Sequence, residues 1–335
     1  MPVSIARTPM ALLLAAALTG LAPAGGSAQI DGLDGTVIVL NKQGDDASFI
    51  DLASGAIVAT VPTGPSPHEL VTTSDGRLAV GTDYGGQTLT VFDVERAAVV
   101  RTIDLGRFTR PHGIVVLPGD SLVAVTSETR GAVLVVRIAD GELVEVLETE
   151  AAGSHMVAAT ADGTTLWTGD MGSHTVTELR RGTAAPVRAL SAPQRPEAVN
   201  VSPDGARVFA GSNDTGRITA WSTATGEPTT VAEGFGWPYR VFLTPGVDQI
   251  IVPDMDNEVV RFFDGADYRE LGSLDFSGEG PQGLVLHRDG RHLFLSLSRA
   301  DRIAVIDIAT RAVVGTLPTG RSPDGIAWSP RAVTR

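Results

Sequence analysis

The sequence contains no cysteine, and this absence excludes several kinds of chemistry at once. Without thiols the chain can form no disulfide, use no thiolate nucleophile and attach no c-type haem covalently. A lipid anchor attached to cysteine is excluded for the same reason. The stability of the fold must therefore come from burial of its side chains alone.

Long apolar runs are missing after the first 28 residues. Arg7 precedes an apolar run over 11–21, and small residues follow as far as Ala28. A run of this length is too short to span a bilayer, and the small residues suit a cleavage site. The sequence predicts a cleavable signal peptide over 1–28, a mature chain that starts at Gln29, and export to the periplasm or the extracellular space without a membrane anchor.

Lysine and arginine are also few compared with aspartate and glutamate. The chain has 26 lysines and arginines against 39 aspartates and glutamates, which gives a formal net charge of −13. A surface this acidic repels phosphate backbones and anionic membranes. We therefore do not expect nucleic acid to be a partner.

What the sequence does contain is a repeat of about 43 residues. Each repeat begins with an anchor, which is a proline or in one case a serine, followed by a polar residue, a mostly small residue and a branched apolar residue. The anchors are Pro67, Pro111, Ser154, Pro196, Pro238, Pro281 and Pro323. Repeats of this length indicate an array in which each unit buries its apolar face against its neighbours.

Each repeat has the pattern of a small antiparallel sheet. The repeat that begins at Pro111 has apolar runs at 113–117, 122–126, 132–138 and 143–147, separated by turn residues. Asp-Gly turns between short strands form hairpins, and no segment shows a sustained helical period. Four strands within a period in the forties are typical of one blade of a β-propeller.

The first and last repeats are incomplete in complementary ways. The N-terminal runs at 37–40, 48–52 and 57–61 correspond to the second, third and fourth strands of a blade, and the final run at 325–328 is a lone first strand. Together they make one blade. The sequence predicts an all-β, seven-bladed β-propeller of four-stranded antiparallel blades over 29–335, with the ring closed by the C-terminal strand.

The repeat resembles the YVTN-type β-propeller family. The unit of that family runs from a Pro-x-Gly-apolar anchor through Ser-Pro-Asp-Gly, to a strand that ends in Asp and an apolar strand that ends in Gly. This pattern stands at 196–205, at 303–307 with 316–320, and at 59–64, and the resemblance covers 35–330. It implies a propeller, but no single activity, because the family and its relatives include binding proteins, lactonases, lyases and redox proteins.

Histidine occupies the position after the anchor in three consecutive repeats. Around the ring this position reads His68, His112, His155, Glu197, Tyr239, Gln282 and Asp324. The first strand of each blade lines the central channel, so these seven side chains should converge at one mouth of it. The whole chain has six histidines, and three at one position of the repeat have chance odds on the order of one in a hundred.

Neutral imidazoles from adjacent strands are suitable ligands for copper or zinc. We therefore predict that His68, His112 and His155 bind a transition metal, with Glu197 as a fourth ligand or general base. The methionines near the same mouth, Met156, Met171 and Met255, favour copper, since thioether and imidazole both suit it. The alternatives are that this position is polar because it faces water in the channel, or that it contacts a small-molecule ligand directly.

Other residues near the mouth are candidate ligand contacts. They are Glu197, Tyr239, Gln282 and Asp324 in the ring, and Arg110, Arg195 and Trp237 beside it. If the protein is an enzyme, a lactonase-like hydrolase or a metal-dependent oxidoreductase, Glu197 and Tyr239 are the candidate catalytic residues. A third possibility is an interaction scaffold whose rim binds another exported protein. We expect the propeller itself to be a monomer.

A second set of acidic residues is predicted at the same mouth. Asp83, Asp170, Asp254 and Asp256, together with Glu197, offer oxygen ligands for a hard cation. Aspartates in loops more often cap turns, and we favour that interpretation for these residues.

Overall fold

The computed structural model describes residues 32–334. These residues form seven four-stranded antiparallel sheets arranged in a ring, and the seven-bladed β-propeller is confirmed. The predicted signal peptide over 1–28 lies outside the described residues. Within 32–334 there is no helix with the length and apolar character needed to cross a bilayer.

The blades follow one another along the chain. Blade 1 contains β1 (Thr36–Asn41), β2 (Asp46–Asp51) and β3 (Ala56–Pro62), and blade 2 contains β4 (Pro67–Thr72), β5 (Leu78–Asp83), β6 (Thr88–Asp93) and β7 (Ala98–Asp104). Blade 3 contains β8 (Pro111–Val116), β9 (Leu122–Ser127), β10 (Ala132–Arg137) and β11 (Leu143–Glu148). Blade 4 contains β12 (Ser154–Ala159), β13 (Thr165–Asp170), β14 (Thr175–Arg180) and β15 (Arg188–Ser191).

The remaining blades keep the same order. Blade 5 contains β16 (Pro196–Val201), β17 (Arg207–Ser212), β18 (Arg217–Ser222) and β19 (Pro228–Glu233). Blade 6 contains β20 (Phe242–Leu243), β21 (Gln249–Asp254), β22 (Val259–Asp264) and β23 (Glu270–Asp275). Blade 7 contains β24 (Pro281–Leu286), β25 (His292–Leu297), β26 (Arg302–Asp307) and β27 (Ala312–Pro318), and the last strand is β28 (Pro323–Ser329).

The ring closes as the sequence predicts. Strand β28 pairs with β1 in antiparallel register, with Thr36 opposite Ser329, and so becomes the innermost strand of blade 1. Apolar side chains also fill the space between the first and last blades, where Val37 of blade 1 belongs to the same buried cluster as Phe294 of blade 7. Closure thus combines backbone hydrogen bonds with burial of apolar surface.

Small residues in the third position of the repeat bring the innermost strands close together. A Cβ atom added to Gly113 would lie 2.6 Å from the Cα of Met156 in the next blade, and one added to Gly325 would meet the carbonyl oxygen of His68. This close approach crowds the side chains of the second position, which include the histidines, at the mouth of the channel.

Blade 6 departs from the pattern. Its innermost strand is reduced to β20, with an isolated bridge between Pro238 and Asp254 before it. The third position of this repeat is Arg240, and its guanidinium donates to the carbonyl of Tyr239 at 2.6 Å. The backbone here therefore bonds to a side chain where the other blades have a regular strand.

Candidate metal centre

The three histidines of the second position lie in contact at the channel mouth. The ring centroids of His68 and His112 are 4.2 Å apart, and those of His112 and His155 are 3.5 Å apart. All three side chains are buried. Each stands in the first residues of an inner strand, so the spacing of β4, β8 and β12 around the axis brings the rings together.

His112 is the least satisfied polar side chain of this group. It is 0% exposed, and neither of its ring nitrogens has a hydrogen-bond partner among the described residues. Burial, reinforced by the neighbouring His155 and His68, lowers the pKa of His112 well below its ordinary value. Its ring is therefore neutral, with a lone pair available. Buried polar groups without a partner are rare in folded proteins, and they indicate a site that a ligand completes.

Glu69 completes a three-residue donor set that the sequence analysis missed. One donor atom from each of His68, Glu69 and His112 lies within 4.8 Å of the other two, and all three residues are buried. Burial raises the pKa of Glu69 to about 7, although the adjacent Arg240 favours the charged form. The set resembles the two imidazoles and one carboxylate of an open zinc site.

His155, the third predicted metal ligand, lies outside this set. Its Nδ1 is 3.7 Å from an oxygen of Glu128, and its Nε2 is 3.8 Å from an oxygen of Glu197. Burial opposes ionisation of Glu128, but His155, Arg110 and His68 together outweigh that effect and lower the pKa of Glu128. His155 therefore stands between two carboxylates and against the ring of His112.

The signal that could have revealed Glu69 is an exception to the repeat. The third position is mostly small, and Glu69 and Arg240 are its two charged exceptions. The structure pairs them across the channel in a buried ion pair, with side chains 11% and 12% exposed. Two charged residues that break the same rule in different repeats are candidates for a mutual contact, because a buried charge requires a partner.

Asp324 supports His68 from behind. Its Oδ2 lies 2.7 Å from Nδ1 of His68 and 3.4 Å from Nζ of Lys42, and its Oδ1 accepts a hydrogen bond from the Tyr239 hydroxyl at 2.8 Å. Burial opposes ionisation of Asp324, but His68, Lys42 and Arg240 outweigh it and lower the pKa. The carboxylate is thus charged and fixes His68 so that Nε2 is the ring nitrogen left for a ligand.

Tyr239 and Glu197, the predicted catalytic residues, are both held by neighbours. Burial, with the nearby charge of Asp324, raises the pKa of Tyr239 well above its usual value, so its hydroxyl remains a donor to Asp324. Oε2 of Glu197 accepts from the indole of Trp237 at 3.0 Å and from the Asn213 amide. The other oxygen of Glu197 faces His155.

The side chains enclose a cavity of about 360 Å³ at the mouth. Besides the histidines it is lined by Lys42, Tyr84, Arg110, Glu128, Met171, Arg195, Glu197, Trp237, Tyr239, Met255 and Gln282. The ring of Tyr84 stacks on that of His68 with centroids 5.1 Å apart, and no feature of the repeat singles out Tyr84 or Glu128. The predicted contacts Arg110, Arg195, Trp237 and Gln282 all line the cavity, whereas Asp324 lies behind it.

At the mouth, two arginines each lie near a carboxylate, and one methionine contacts an amide. Arg110 lies 3.7 Å from Glu128, and Arg195 lies 3.6 Å from Asp214. Met255 accepts a weak hydrogen bond from Gln282, with 3.3 Å between Sδ and Nε2. Met156, in contrast, packs in an apolar cluster between blades, so only Met171 and Met255 line the cavity with the histidines.

The loop aspartates are bound within their own blades. Asp83 accepts hydrogen bonds from Thr88 and Thr90, Asp170 from four hydroxyl groups of blade 4, and Asp254 from the backbone of Gly236 and Trp237. These contacts occupy the oxygens that a hard cation would need. Asp254 thus caps loop backbone, as the turn-capping interpretation predicts, whereas Asp83 and Asp170 in these contacts bind hydroxyl groups of neighbouring strands.

The sequence matches no protein-family model and no curated protein sequence. Solved structures show a likeness of fold. A chain of Kuenenia stuttgartiensis hydrazine synthase has a TM-score of 0.73 and 19% identity, over 82% of this chain and 92% of that chain. A functionally unknown protein from Desulfotomaculum acetoxidans has a TM-score of 0.75 and 16% identity, over 89% of this chain and all of the other. At these identities the likeness establishes the propeller, and the function must be argued from the site.

Proposed function

We propose that the protein is an exported, monomeric propeller of the YVTN type that binds a transition metal ion at the mouth of its channel. The ligands are His68, Glu69 and His112. The observation that carries the proposal is His112, a fully buried neutral imidazole whose two nitrogens have no partner in the described chain. A metal ion bound to one of these nitrogens supplies a partner and offsets part of the cost of burying the ring.

The donor set restricts the metal. Two imidazoles and one carboxylate suit zinc and copper, and disfavour magnesium and calcium, which prefer oxygen alone. Met171 and Met255 add thioethers to the wall of the cavity, and soft sulfur donors favour copper in its reduced state. Three protein ligands leave at least one position open for a small molecule.

Asp324→Asn is expected to weaken metal binding about 10- to 100-fold, because a neutral amide no longer fixes and polarises the His68 ring. The measurement is titration calorimetry with Zn²⁺ and with Cu²⁺ on the purified protein. Asp162→Asn is the matched control, since Asp162 caps an exposed turn formed by Thr160 and Thr164. No binding of either ion by the unmodified protein would remove the metal proposal, and equal affinity in Asp324→Asn would remove the supporting role of Asp324.

Export is proposed from the N-terminal sequence, where one arginine, an apolar run and small residues precede Gln29. The expected result is a mature chain that begins at Gln29 in the periplasmic or culture fraction of the cells that make it. Intact-mass measurement of that fraction checks the start. A full-length chain recovered only from the cytoplasm would contradict export.

A further inference from the structure

A second cavity adjoins the metal cavity on the same face of the ring. It measures about 540 Å³ and shares Lys42, Met255 and Gln282 with the first. Its other lining residues come from blades 1 and 7 and the loops beside them: Gln43, Ser298, Arg299, Asp301, Arg321 and Ser322. The two cavities adjoin at these three side chains, and we call them the metal lobe and the second lobe; no residue of the donor set lines the second lobe.

The lining of this double cavity has a charge opposite to that of the protein. Among the described residues it carries five cations, Lys42, Arg110, Arg195, Arg299 and Arg321, against three carboxylates, Glu128, Glu197 and Asp301. Behind the lining, Glu69 is paired with Arg240, and Asp324 contacts Lys42. The chain as a whole has a formal net charge of −13. Four of these cations have carboxylate partners, so the positive charge of the lining that has no ion pair within 32–334 is that of Arg321.

Arg321 is the cation of the second lobe whose charge is least neutralised by contacts within the protein. Its guanidinium donates to the carbonyl of Gln43 at 2.6 Å, and within residues 32–334 it forms no ion pair. Asp301, the carboxylate of this lobe, accepts from the backbone N–H of Ser322 at 2.8 Å. Arg299 is paired with Glu258, outside the lobe. Arg321 therefore retains donors and charge for a ligand, and Lys42 lines both lobes.

We propose that the small molecule taken by this site is a di- or tricarboxylate that reaches from the metal lobe to the second lobe. One carboxylate occupies the open position of the metal, and the other pairs with Arg321 and Lys42, whose geometry suits carboxylate oxygens. Met255, which lines both lobes, offers a polarizable apolar contact to the carbon chain between them. The metal-bound end of this ligand rests on the proposed function, whereas the cationic end does not.

The test compares succinate, acetate and inorganic phosphate by titration calorimetry, first on the metal-free protein and then with zinc bound. Succinate is expected to bind at least 10-fold more tightly than acetate or phosphate, and more tightly still with zinc. Arg321→Gln should lose that advantage while its affinity for zinc alone is unchanged. Arg137→Gln is the control, because Arg137 pairs with Asp140 and Glu142 and lines neither lobe.

The outcomes separate the two proposals. Zinc binding without any binding of succinate, or with succinate binding that Arg321→Gln leaves intact, overturns the carboxylate site and leaves the metal centre standing. Phosphate binding as tightly as succinate overturns the carboxylate assignment. Succinate binding that depends on Arg321, in a protein that binds no zinc or copper, supports the cationic end and overturns the metal-bound end.

Discussion

Replacing His112 with leucine is expected to abolish transition-metal binding and, at the same time, to stabilise the metal-free protein. Loss of one of three ligands should weaken zinc or copper binding more than 100-fold. In the absence of metal, however, the imidazole is a buried polar group with no protein partner. Leucine is similar in size and has no polar atom to satisfy, so His112→Leu should raise the free energy of unfolding by about 1–3 kcal/mol.

The two effects require two measurements, calorimetric titration with metal and denaturant unfolding in the presence of a chelator. His292→Leu is the matched control. His292 lies at the far end of blade 7, where its Nδ1 is 2.6 Å from an oxygen of Asp289, so its loss should lower stability and leave metal affinity unchanged. A His112→Leu protein that keeps its metal affinity would rule out His112 as a ligand. A less stable metal-free variant would show that the ring is satisfied in solution.

Arg240→Met is expected to give the largest loss of stability, about 3–5 kcal/mol. The substitution leaves the Glu69 carboxylate buried in the channel without its counter-ion. Burial alone disfavours ionisation of Glu69, and the positive charge of Arg240 offsets that effect. The variant is expected to unfold at a lower denaturant concentration, and circular dichroism of the β-sheet signal is the measurement.

A double-mutant cycle identifies the cause of this loss. Arg240→Met combined with Glu69→Met removes both charges and should recover most of the stability, because replacing a whole buried ion pair by apolar groups is often nearly neutral. Arg137→Met, which breaks an exposed ion pair with Asp140 and Glu142, should change stability little. Additive losses in the double variant would mean that the pair contributes nothing as a pair.

The repeat made the ring of residues after the anchors predictable. Side chains at one position of a closed repeat meet at one radius and one height, so the approach of His68, His112 and His155 follows from spacing alone once the ring closes. The structure brings their rings to 4.2 and 3.5 Å. The role of Asp324 was harder to predict from the sequence. His112 and Asp324 occupy the same position of the repeat, but the side chain of His112 lies in the cavity and that of Asp324 lies behind His68.

The sequence by itself determined the architecture: the period of the anchors specifies seven units, and the incomplete ends specify how they close. Only the tertiary structure decided which partners the side chains take within and beside that ring of residues. Glu69 and Arg240 are 171 residues apart and occupy different blades, and their shared departure from the repeat marks both residues without fixing the geometry of their contact. Their pairing, the choice of Glu69 over His155 beside His68 and His112, and the adjacency of two cavities at Lys42 all depend on distances across the channel, which arise only when the ring has closed.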